Sequence, residues 1–179
     1  MSTHAGRSFP EVLAQLLTQA PLRQWFAQDP VACAAGLGLD QQVQQQIAAL
    51  DAGSLERQAQ SLIDKRRLEV GALLPATFAR VGHTLPWHFA AHAAGSWPTG
   101  EHRHVLDALA FARYLREQGL PLCRRELNFL QFQLRGRSWK QPLALHAVYC
   151  RVRGGHMRPA LQLLYFWRGQ FREHLLYLF

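Results

Sequence analysis

His146-Ala-Val-Tyr-Cys-Arg-Val-Arg153, then Gly154-Gly-His156, Ala160-Leu-Gln-Leu-Leu-Tyr-Phe-Trp-Arg168, Gly169-Gln170 and Phe171-Arg-Glu-His-Leu-Leu-Tyr-Leu-Phe179 decide the fold. The first segment alternates with period two: Ala147, Tyr149 and Arg151 fall on one side, Val148, Cys150 and Val152 on the other. That is the pattern of a half-buried strand. The second segment is rich in aromatic and branched residues, and the glycine-bearing turns on either side of it are short. Turns this short join antiparallel neighbours, so three strands in a meander are expected.

Upstream of this stretch the period changes to that of helices. Val12, Leu13, Leu16 and Leu17 form the stripe of a helix over 9–18, with Pro10 tolerated in its first turn. A short helix over 21–27 should turn Trp25 and Phe26 inward. Asp29 and Asp40 read as N-caps of the next two helices, the first with Pro30 at its opening position. Ser54 is expected to open the longest helix, with Leu55, Ala59, Leu62, Ile63, Arg66 and Val70 on one face. Three more helices are expected over 76–82, 85–94 and 102–118. Residues 121–134 fit either period; Pro121 favours a helix start there. The expected class is α+β, a mostly helical N-terminal body of residues 1–120 followed by a basic C-terminal meander in residues 121–179.

Charge follows the same division. Residues 1–120 carry as many acids as bases, so the net charge of +8 belongs to the last 59 residues. There Arg124, Arg125, Arg135, Arg137, Lys140, Arg151, Arg153, Arg158, Arg168 and Arg172 face only Glu126 and Glu173. Arginine is suited to bidentate capture of carboxylates and phosphates. Three readings of this tail stay open: a sheet that binds a peptide along an exposed edge, a basic surface without a specific partner, and a nucleic-acid surface. The first ranks highest. The aromatics Tyr165, Phe166 and Trp167 lie in a core-like strand and not on a stacking platform, which sets nucleic acid last. Arg135, Arg137, Arg151, Arg153, Arg158 and Arg168 are the candidate peptide-binding residues.

No GxSxG, GxGxxG, Walker loop or HExxH occurs, so no catalytic residue is assigned. His88 and His92 share a helix face by their spacing, with His83, His102, His104 and Glu101 nearby. Packing against Trp87 and Trp97 is preferred to a metal site. Cys33, Cys123 and Cys150 lie far apart without a CxxC and read as buried thiols. Lys65-Arg66-Arg67 reads as a solvated surface. The chain has no apolar run of membrane length and its first residues lack a signal-peptide layout, so a cytoplasmic protein is expected.

Two passages carry a family resemblance. Leu16 to Val70, with Ala20-Pro-Leu-Arg-Gln-Trp-Phe-Ala-Gln-Asp-Pro30 and Ser61-Leu-Ile-Asp-Lys-Arg-Arg-Leu-Glu-Val70, resembles a helical module common in bacterial peptide-natural-product loci. Leu74-Pro-Ala-Thr-Phe78, Gly82, Phe89 and Asp107-Ala-Leu-Ala-Phe-Ala-Arg-Tyr-Leu115 resemble its SCO-type companion domain. The layout of helical body and C-terminal meander is similar to the MbnC-like and TglI-like small partner subunits of iron-dependent peptide-modifying enzymes. That resemblance implies a non-catalytic accessory subunit that binds a ribosomally made precursor peptide. It implies a TIM-barrel partner enzyme holding the iron, with no cofactor in this chain. The implied reaction is oxidative modification of a peptidyl cysteine, in the TglI-like case excision of its β-carbon during 3-thiaglutamate biosynthesis. Trp87, Trp97 and Trp139 are the candidate partner contacts. The alternative is a nucleic-acid-binding or regulatory helical protein using the same basic sheet.

Overall fold

The computed structural model describes residues 7–95, 97–136, 143–152 and 155–178. It is mostly helical, with a three-stranded antiparallel sheet at the C-terminal end. The chain forms two compact units, Met1–Arg67 with Ala90–Trp97, and Leu68–Phe89 with Pro98–Phe179.

In the first unit, α1 (Phe9–Thr18), α2 (Ala20–Gln28), α3 (Pro30–Gly36) and α4 (Gln41–Ala48) pack in sequence order. Their ends are written in side chains. The Ser8 and Glu11 side chains form a capping box on α1, and Asp29 and Asp40 accept from Ala32 N and Val43 N at 2.9 Å each. Val12, Leu16, Phe26, Cys33, Ala34, Leu39, Ile47 and Leu55 form the core. Arg23 is buried at its edge. It pairs with Glu56 at 2.9 Å and donates to the Leu16 and Leu17 carbonyls, which belong to the last turn of α1. Trp25, expected inside with Phe26, is 40 % exposed: the two are adjacent on α2, and only one of them can face the core.

Helix α5 runs Ala52–Leu73 and so begins two residues before the expected Ser54. Asp51 is the reason: its carboxylate accepts from Ser54 N at 2.6 Å, which makes it the cap. The basic cluster on this helix is not a uniform solvated face either. Arg66 is buried, its guanidinium 5.0 Å from the Trp97 ring centroid and 3.5 Å from His92 Nε2. Arg67 and Lys65 keep more exposed positions.

The second unit holds α6 (Pro75–Val81), a 3-10 turn (Gly82–Thr84), the first part of α7 (Leu85–Gly95), α8 (Arg103–Glu117), α9 (Arg124–Gly136) and the sheet. Its helical core centres on Phe111, which is fully buried. The Phe78 and Phe89 rings meet Phe111 edge-on at 5.9 and 4.9 Å, and Tyr114 stacks on it at 6.2 Å. Gly71 makes room for this cluster, since a Cβ there would stand 2.8 Å from the Phe78 ring. On α8 Leu106 is exposed, while Asp107 is buried beside Ala108 and Phe111.

The ambiguous stretch is a helix, but α9 starts at Arg124 and not at Pro121. Residues before it are held otherwise. Cys123 N donates to the Thr77 hydroxyl at 3.0 Å, and the Leu122 carbonyl accepts from Arg80 at 2.6 Å. Glu126 in turn caps α6, accepting from Thr77 N at 2.9 Å and from the Thr77 hydroxyl at 2.7 Å.

Strands β1 (Leu143–Arg151), β2 (Met157–Trp167) and β3 (Gln170–Tyr177) lie in the order β1-β2-β3. β1 begins three residues before the expected His146. The β2–β3 turn is Arg168-Gly169, both with positive φ, and Gln170 already pairs with Trp167. Two central residues with positive φ are what a tight hairpin requires. One face of the sheet, through Val148, Cys150, Ala160, Gln162 and Leu164, is buried, and α9 packs against β1 and β2. The other face carries Leu143, Leu145, Ala147, Tyr149, Leu161, Leu163, Tyr165 and Trp167. Pro159 is tolerated inside the central strand because its carbonyl accepts from Leu178 N at 3.0 Å. Its missing N–H therefore points toward β3 where that strand ends, and costs the ladder little.

Candidate functional site

A cavity of about 780 Å³ opens at one end of the sheet in the second unit. Ala76, Ala79 and Arg80 of α6 and Pro121, Cys123 and Arg125 wall one side of it. Tyr149, Cys150 and Arg151 of β1, Met157 of β2 and Tyr177 of β3 wall the other. The contacts between Thr77, Glu126, Arg80 and the 121–123 segment fix the first wall. Strand register fixes the second, since Arg151 pairs with Met157 and Tyr177 with Ala160.

Among the described residues three guanidinia line this cleft and no carboxylate does. Arg125 is bound to Glu173 in bidentate fashion, at 2.7 and 2.6 Å. Among the described residues neither Arg80 nor Arg151 has a carboxylate partner. Arg80 is oriented by the Leu122 carbonyl, and Arg151 stands exposed at the end of β1. Tyr149, Met157 and Tyr177, all substantially exposed, add apolar surface at the mouth. The arrangement suits an anionic group beside an apolar or aromatic one. Burial pushes the Cys150 thiol above its ordinary pKa, against the nearby Arg125 charge, so it stays protonated at neutral pH.

Behind the cleft lies a polar network. Gln162, fully buried, donates from Nε2 to the Arg125 carbonyl at 2.9 Å and to Glu173 at 2.8 Å, and its Oε1 accepts from Asn128 at 3.0 Å. Hydrogen bonds from Arg125 hold the Glu173 carboxyl below the usual carboxylate range, burial opposing them, and Glu173 raises Arg125 in return. A depressed folded pKa gives stability that is full above the unfolded value and is lost as pH falls through the folded one. Glu173→Gln should therefore cost about 1 kcal/mol at pH 7, with Arg125's exposure taken into account. The gap from wild type should close as pH drops below about 4.5. Urea midpoints at pH 7, 5 and 3 measure this, and a gap independent of pH would refute it.

β1 is an edge strand, and its free side is legible from one contact pair. Val152 N donates to the His156 carbonyl, and the Val152 carbonyl accepts from Gly155 N. Even-numbered residues of β1 therefore turn their main chain toward β2. Leu143, Leu145, Ala147, Tyr149 and Arg151 turn theirs to the open edge. No proline or lysine blunts that edge.

The structure separates the arginines grouped by sequence. Arg151 lines the cleft, and Arg158, exposed, pairs with Cys150 at the same end of the sheet. Arg168 sits in the hairpin turn at the opposite end, its guanidinium 6.0 Å from the Trp167 ring. Arg135 is exposed in the last turn of α9. The two ends of β2 are about 30 Å apart at the usual strand rise. Arg137, Arg153 and Trp139 lie outside the described residues. Arg80 and Arg125, which sequence reasoning missed as site residues, complete the cleft. Arg80 comes from the electrically neutral part of the chain, and no local signal marks it.

Trp87 is 68 % exposed on α7, and its ring meets His88 edge-on at 4.8 Å. Trp97 holds the Arg66 guanidinium described above. His88 is buried between Trp87 and Tyr114. Among the described residues no three His, Cys, Asp or Glu side chains form a metal-binding group, and no helix is long and apolar enough to cross a membrane.

Residues 48–117 match the family model described as SCO6045-like, C-terminal domain. The match contains the whole Leu74–Leu115 passage and begins earlier, at the end of α4. It includes the α6 wall of the cleft and stops short of α9 and the sheet. No curated protein and no solved structure matches the chain.

Proposed function

We propose that this chain is a cytoplasmic, peptide-capturing accessory subunit, and that the ligand is a ribosomally made precursor peptide presented to an iron-dependent TIM-barrel enzyme. The observation that carries the reading is a cleft lined, among the described residues, by three arginines and no carboxylate, at the end of an open strand edge. An extended peptide adds to β1 through the main chain of its odd-numbered residues, while Arg80 and Arg151 hold an acidic side chain or the terminal carboxylate. Tyr149 and Tyr177 cover the adjoining apolar side chain. The iron enzyme, and its action on a peptidyl cysteine with β-carbon excision as the specific case, come from the resemblance to MbnC-like and TglI-like subunits. The chain's own residues bind and orient the peptide, and the metal and its oxidative chemistry belong to the partner.

A tagged copy of the full chain, purified from its native host with mass spectrometry and metal analysis, tests this. The expected result is a near-stoichiometric iron protein together with a short peptide whose retention survives 0.5 M salt. Recovery of nucleic acid that dissociates steeply with salt would overturn it.

A further inference from the structure

We infer that the face of the sheet opposite α9 is a docking surface for an amphipathic helix of another protein, with carboxylates flanking its apolar stripe. The proposal goes beyond peptide capture at the edge and cleft.

The face is apolar across β1 and β2, while β3 adds Leu176 beside the polar Gln170, Arg172 and His174. Leu145 pairs with Leu163, and Ala147 with Leu161, which pairs in turn with Leu176. Leu143, Leu145, Trp167 and Leu176 are each more than half exposed. A half-covered antiparallel sheet ordinarily alternates apolar and polar residues, and β1 and β2 do not. Contiguous exposed apolar surface of this kind marks an interaction site.

Size and charge select the occupant. β1 and β2 span about 10 Å and the apolar zone runs about 25 Å along them, so it offers roughly 250 Å². A stable dimer of two such chains needs about 800 Å² from each partner, about three times that area. One helix, about 10–12 Å across and 16 or 17 residues long, covers the face. None of the outward positions on the three strands is acidic, whereas Arg151 and Arg172 are among them and Arg168 stands at the turn. A second copy would bring arginine against arginine, and a carboxylate-flanked helix would pair with them.

Two synthetic 17-residue helices with the same leucine stripe, one flanked by glutamates and one by lysines, are titrated into the full chain by fluorescence anisotropy. The glutamate helix should bind with a micromolar Kd and the lysine helix at least tenfold more weakly. Leu145→Glu should weaken the glutamate helix at least tenfold without changing the thermal melt. Should it unfold, Leu176→Glu on the other edge strand serves the same purpose. Arg80→Glu should leave helix binding unchanged, so failure at the cleft and failure at this face are read separately. Equal affinity for the two helices, or no effect of the glutamate substitutions, overturns the proposal. So does a concentration-dependent dimer in sedimentation that Leu145→Glu abolishes.

Discussion

Arg80→Glu together with Arg151→Glu lowers affinity for the captured precursor peptide by about 100- to 1,000-fold. Each arginine offers a charge-assisted hydrogen bond to an acidic ligand group, of about 1.5–3 kcal/mol. Two such contacts correspond to two or more decades in Kd, before any repulsion from the new carboxylates. Both side chains are solvent-exposed, so the substitutions should leave the melting temperature within a few degrees of wild type. Arg80 also donates to the Leu122 carbonyl, and Arg80→Lys is the control that keeps the charge there. Calorimetric titration in 0.15 M salt measures the effect. An unchanged Kd would remove the cleft from the binding site and leave the β1 edge acting alone.

The second large effect is on stability. Phe111→Ala should cost about 3–5 kcal/mol, the range for deleting a buried aromatic ring. The site cannot relax easily, because Phe78, Phe89 and Tyr114 all rest on this one ring. Phe78 belongs to α6, whose Ala76, Ala79 and Arg80 wall the cleft, so the loss should reach ligand binding as well. Urea unfolding of the second unit measures the cost, and a change under 1 kcal/mol would mean that the cluster repacks. Phe111→Leu, which refills most of the volume, should recover a large part of it.

Much of this fold was legible in the sequence because its boundaries are chemical. Asp29 and Asp40 cap helices where the residue types said they would, and the meander followed from period-two segments joined by glycine turns. Boundaries moved by a few residues where a competing side chain intervened. Asp51 displaced Ser54 as a cap, and the Thr77 and Arg80 contacts kept Pro121 outside α9. Arg66 lies on the buried face its spacing assigned, against its reading within a solvated basic cluster, and Asp107 is a charged residue that turns inward on α8. The cleft was only half legible. Composition pointed to the basic tail and so to Arg151, but Arg80 is brought there by contacts between residues more than 40 apart. Glu126 and Glu173, the only two acids of that tail, are both engaged inside the structure, one on α6 and one on Arg125.

Gln162 has a consequence for how the sheet finds its alignment. Sliding a strand by one residue normally exchanges a greasy face for a wet one, and the penalty enforces correct pairing. Here Leu161 and Leu163 would enter the interior as readily as Ala160 and Leu164, so hydrophobicity alone scarcely distinguishes the two alignments. The amide of Gln162 does. A slip would withdraw that amide from Asn128, the Arg125 carbonyl and Glu173 at once, breaking three hydrogen bonds. A single glutamine acts as an index mark for a strand with two apolar sides, and that leaves the outward leucines available for contact with other molecules.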